Sequence, residues 1–274
     1  MPAPTRTSGA AAIAIGVLGI ALLVVFVAIE ARVRSPMLDL SLFRNRQFAT
    51  TATATLMNAL ARGAFTFILV FYLQGPPRFL SPFTAGLFLI PTSASLATFG
   101  PVSGWLSDKY GPRWFILGGL VVTASGFLWL TTIGPDDSFL QLAAPLVLVG
   151  AGMGMFASPN RAAMMNAVPP SRRGVASGVG TTFLNSGSTI SLGVTLVVMS
   201  SVMPRSAIDA ILTGGSAASV PVSVGSGFLQ SIHLIFYISG ALALLSLIPS
   251  VLRGATPRYL AEPAAPPPTE PEGD

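Results

Sequence analysis

Asn58, Arg62 and Thr66 lie in the stretch "NALARGAFT", inside a long apolar run. Their spacing of i, i+4 and i+8 puts all three side chains on one face of a helix. An amide, a guanidinium and a hydroxyl in a row offer recognition chemistry, built around a fixed positive charge that can pair with an anion. A cation at the centre of a bilayer costs about 2.5–3.5 kcal/mol on insertion scales, and such residues usually face a bundle interior or water. Two readings of Arg62 stand. It lines a water-accessible cavity, or it satisfies backbone carbonyls at a helix break and snorkels.

The remaining candidates are few. Asn185 lies in mid-segment, with Thr181 and Ser188 about one turn to either side. A polar patch or an interhelical hydrogen bond explains it. The single histidine, His233, is near the end of the last apolar segment and reads as a satisfied interfacial residue. There are no cysteines, which removes disulfides, thiolate zinc sites and cysteine nucleophiles. No metal and no cofactor are expected. An intramembrane serine protease would need a nucleophile and an oriented base, and no G-x-S-G arrangement accompanies His233. Enzymatic activity is therefore not expected.

The elements that carry these residues follow from composition. Of 274 residues, 51% are hydrophobic and 9% charged, against about 25% charged in soluble domains. Mean hydropathy is +0.71. The chain reads as an all-α, polytopic membrane protein in a lipid bilayer. A hydrocarbon core needs roughly 20 apolar helical residues, and seven segments qualify: 9–29, 48–73, 83–106, 114–133, 138–160, 174–203 and 229–252. Backbone groups in lipid must bond internally, and these runs are too long and continuous for barrel strands. Segment 9–29 is longer than a signal peptide's apolar region and has its arginines after it, so it reads as a spanning helix. Residues 1–8 form an N-terminal tail and 30–47 a linker. The stretch 204–228 is a flexible loop, and 253–274 is a proline-rich tail, expected to be disordered.

The net charge of +5 needs no nucleic-acid partner. Eleven basic residues fall on one side of the expected topology: Arg32, Arg34, Arg44, Arg46, Lys109, Arg113, Arg161, Arg172, Arg173, Arg253 and Arg258. Only Arg6, Arg78 and Arg205 fall on the other. The positive-inside rule then puts the C-terminus in the cytoplasm and the N-terminus outside the cell membrane.

Between the third and fourth segments runs "GWLSDKYGPRWFIL". So short a loop predicts antiparallel neighbours, with Gly104 permitting close approach and Gly111 a tight turn. Asp108 is suited to meet a helix N-terminus or an arginine, as a charge lock that holds one conformation shut. Gly104, Leu106, Asp108, Gly111 and Arg113 match G-x-L-a-D-r-x-G-r-k, and the loop resembles the gate motif of the major facilitator superfamily. "SPMLDLSLFRNRQF" resembles the segment leading into the C-terminal domain of its fourteen-helix drug/proton antiporters, and "FYLQG" the end of that domain's first helix. "SPFTAGLFLIPTSASL" resembles its second helix and "RRGVASGVGTTFLNSGSTISLGV" its fifth.

The resemblance implies that 9–29 is an extra central helix and that 48–252 is the C-terminal six-helix transporter domain. It implies alternating access, a small lipophilic and often cationic substrate, and the proton as coupling ion. Asn58, Arg62, Thr66 and Asn185 would line the substrate cavity. Arg62 would face either a carboxylate of the other half or an anionic group of the substrate. The small-residue stripes Gly150/Gly154, Gly100/Gly104 and Gly174/Gly178 would be helix-packing surfaces, the last of them a sliding interface with the other half. That N-terminal half is absent here, so the expected partner is the missing half or a second copy. A truncated or split fragment without activity of its own is the alternative.

Overall fold

The computed structural model describes residues 40–75, 78–202 and 222–253, with isolated helical positions between 17 and 28. The expected spanning segment 9–29 as an element, most of the linker, most of the loop 204–228 and the tail from 254 onward lie outside the described residues. Six long helices make up the fold: α1 (Arg46–Gln74), α2 (Pro82–Tyr110), α3 (Pro112–Leu130), α4 (Phe139–Asn166), α5 (Arg173–Val202) and α6 (Val222–Leu245), followed by a short α7 (Leu247–Val251). Among the described residues six helices are long and apolar enough to cross a membrane. The protein is an all-α polytopic membrane protein.

Local chemistry sets the helix starts. The Asn45 side chain accepts from the backbone N–H groups of Gln47 and Phe48 to open α1. Ser81 caps α2, with Pro82 in its first turn. Ser138 and Gln141 form a reciprocal capping box on α4. Gly111, at φ +88°, joins α2 to α3 in a conformation only glycine adopts freely.

The packing order differs from the chain order. α2 and α3, expected side by side, touch little, and each packs chiefly on α4. α1 packs on α5 and α6, and α3 also on α6. Loop length limits how far two helix ends can separate, but side-chain surfaces decide which helix faces which. α4 presents small residues to both neighbours. An added Cβ on Gly154 would fall 2.8 Å from the Gly100 nitrogen of α2, and one on Gly119 of α3 would fall 2.7 Å from the Gly152 oxygen of α4. Backbones meet there, as small-residue contacts allow.

The main core lies toward the Gln74 end of α1. Phe65 stacks on Phe127 and Phe236, with ring centroids 5.3 and 6.1 Å apart. Ile68, Leu69 and Tyr72 extend this core. Polar pins close the same end: the Tyr72 hydroxyl donates to the Gly134 carbonyl at 2.6 Å, and Arg78 donates to the carbonyls of Pro135 and Asp137. A His233 ring nitrogen contacts the Ile133 carbonyl at 2.8 Å.

Candidate functional site

The polar face of α1 is longer than its three central residues. Gln47, Thr51, Thr55 and Asn58 are all buried along it. The hydroxyls of Thr51 and Thr55 donate one turn back, to the carbonyls of Gln47 and Thr51. The Asn160 amide of α4 donates to Thr55 Oγ1 at 2.9 Å. Arg253 reaches in from the end of α7, its Nη2 donating to Thr51 Oγ1 at 2.8 Å and to Asn160 Oδ1 at 3.4 Å. Arg253 is only 6% exposed, so it belongs to the bundle and corrects the expectation that it opens a disordered tail. Burial pushes its pKa down to about 10, still far above neutrality, so it remains a cation with hydroxyl and amide partners. Its Nη1 has no hydrogen-bond partner among the described residues.

Beyond this network the stripe opens into space. Asn58 is buried, but its Nδ2 finds no acceptor among the described residues. Arg62 is half-buried and, among the described residues, its guanidinium makes no hydrogen bond and no ion pair. Thr66 is exposed and returns its hydroxyl to the Arg62 carbonyl at 3.1 Å. Two cavities meet at Arg62. The first, about 530 Å³, is lined by Thr55, Asn58, Arg62, Asn160, Arg161 and Gly154 among others. The second, about 700 Å³, takes in Arg62, Thr66, Phe67, Phe71, Ser188 and Thr189. Leu96 of α2 and Met153 of α4 border both.

Asn58, Arg62 and Thr66 are thus brought together, and Asn185 is not. It is exposed on α5 and lines neither cavity, because the cavity face of that helix carries Leu184, Ser188 and Thr189 instead. Gly174 and Gly178 have open space where a Cβ would sit, so that stripe packs on nothing among the described residues, whereas Gly150 and Gly154 abut α2. In the Gly104–Arg113 loop, Gly104 approaches α4, where an added Cβ would be 2.6 Å from Ser158 Oγ. Asp108 and Arg113 are exposed, and Asp108 has no ion pair among the described residues. Asn160, Arg161 and Arg253 are site neighbours that sequence reasoning missed. α4 runs through Pro159 to Asn166, which carries Arg161 into a cavity wall rather than a loop.

Comparison with known proteins decides the family. A model of the Major Facilitator Superfamily matches residues 5–192 and, in a second overlapping alignment, 48–273. The chain belongs to the Major Facilitator Superfamily. Within this superfamily it is 34% identical over 169 residues to the multidrug resistance protein Stp of Mycobacterium tuberculosis, covering 62% of this chain and 31% of that one. It is 28% identical over 220 residues to the multidrug efflux pump LfrA of Mycolicibacterium smegmatis, covering 80% and 43%. It is 29% identical over 160 residues to the riboflavin transporter RibZ of Clostridioides difficile, covering 57% and 35%. The matched stretches span less than half of each relative.

Proposed function

We propose that this chain is the C-terminal half of a fourteen-helix drug/proton antiporter and exports small lipophilic molecules by alternating access. In this reading residues 48–252 form one six-helix domain, and α1 carries the central polar wall. The observation that carries the proposal is Arg62, a cation without a partner among the described residues, where two cavities meet. Such a residue in a spanning helix marks a transport path by default. Burial also favours it. In the most apolar stretch of each helix, 11% of α2 and 28% of α5 is buried, against 39–56% for the other four. Both helices line the cavities, so their open faces suit a second helical bundle, supplied by a longer polypeptide, a separate chain or a second copy. Loops rich in arginine would be cytoplasmic, putting the Asn45 end of α1 inside.

Deleting the native gene tests the proposal. Cells would be loaded with a panel of anionic, neutral and cationic lipophilic dyes. The deletion is expected to raise accumulation of at least one dye several-fold, and a protonophore is expected to raise wild-type cells to the same level. Equal accumulation of every dye in both strains contradicts export, and protonophore-insensitive export contradicts proton coupling.

A further inference from the structure

The transporter reading leaves the substrate class open, and the wall itself constrains it. Neither cavity lining contains a carboxylate. In all six long helices the sole acidic residue is Asp108, in the last turn of α2, and it is exposed. Facing the first cavity are instead two guanidinium groups, Arg62 and Arg161, and the buried Asn58 amide, whose Nδ2 lacks an acceptor. Of the three only Asn58 is fully buried, Arg62 being half-buried and Arg161 exposed; a buried donor left unsatisfied is costly, so the Asn58 amide beside the Arg62 cation favours an entering acceptor atom. The second cavity differs. Beyond Arg62 its wall carries no charge: hydroxyls of Thr66, Ser188 and Thr189 alternate with the aromatic rings of Phe65, Phe67 and Phe71.

We infer that the site takes an amphipathic oxyanion: an acidic head, such as a carboxylate, held by Arg62 and Asn58, and an aromatic body seated against Phe67 and Phe71. A cationic substrate finds no counter-charge on this wall and meets the like charges of Arg62 and Arg161. Arginine presents several N–H donors in a fixed fork, which suits two carboxylate oxygens. The inference rests on the transporter reading only in taking these cavities as the substrate path.

The test uses three probes of nearly equal shape: pyrenebutyrate, its methyl ester and pyrenebutyl-trimethylammonium. Binding to the full chain in neutral-lipid nanodiscs is read by pyrene fluorescence, with empty nanodiscs subtracting partition into lipid. The anion is expected to bind at least about tenfold more tightly than the cation, the scale of hydrogen bonds to a charged group. Arg62→Gln should abolish that preference, and Arg62→Lys should retain part of it. Equal or tighter binding of the cation to the wild-type chain, or an anion preference that survives Arg62→Gln, overturns the inference. Binding of none of the probes overturns it as well. The two readings fail separately: dye export without charge preference leaves transport standing and removes this proposal, and anion binding without export does the reverse.

Discussion

At the scale of residues, the two arginines of the α1 stripe do opposite things. Arg253 is enclosed by Thr51 and Asn160, and Arg62 is open to two cavities. An enclosed cation without a carboxylate is a standing cost, because desolvation disfavours its charge and hydroxyl partners return only part of it. Its folded pKa, about 10, lies below the ordinary arginine value. The unfolded chain therefore holds the proton more tightly at every pH below that point, and the cost persists throughout the neutral range. Arg253→Met, which removes the charge and keeps the bulk, should leave the thermal midpoint in detergent unchanged or raised. Thr51→Val keeps the charge and deletes its nearest acceptor, and should destabilise by about 1–3 kcal/mol. A larger loss for Arg253→Met than for Thr51→Val would mean that the guanidinium holds the bundle together.

At the scale of elements, glycine marks where helices cross and where they do not. α3 and α4 meet backbone to backbone at Gly119 and Gly152, and α2 meets α4 at Gly154. Gly119→Ala puts a methyl 2.7 Å from both the Gly152 oxygen and the Phe156 nitrogen, a clash that should cost about 1–3 kcal/mol through overpacking. Gly178→Ala meets nothing and should leave the melting temperature of the isolated chain unchanged. If α5 faces a second bundle, the same change should slow transport. Thermal melts and dye export measured on both variants separate the two roles. The stripes Gly150/Gly154 and Gly174/Gly178 look alike in sequence, because spacing reports a smooth helix face and not what lies against it. Most helix bounds were legible to within a few residues, since hydropathy marks them directly, although 222–228 read as the end of a flexible loop and is helical, the first turns of α6. The end of α4 was not: Pro159 and Arg161 read as a boundary, but proline is tolerated inside a spanning helix when neighbours re-satisfy the backbone.

At the scale of the whole molecule, periodicity made the site partly readable. Asn58, Arg62 and Thr66 share a face by helical geometry alone, whatever surrounds them. Asn185 has Thr181 and Ser188 about one turn to either side, but that spacing does not say which way the shared face turns, and only the packing of α5 on α1 decided that Asn185 is exposed. Arg253 and Thr51 are 202 positions apart, a pairing that no local pattern encodes. The order of packing was likewise hidden, because α4 separates two helices joined by a single glycine. What the assembled bundle presents is one wall, with α2 and α5 largely uncovered and Arg62 at its centre. The most direct test is dye export from cells in which Arg62→Ala replaces the native residue, with membrane levels checked by immunoblot. Loss of export at unchanged membrane level is the predicted result. Wild-type export from Arg62→Ala at that level would contradict the assignment of this wall as the transport path.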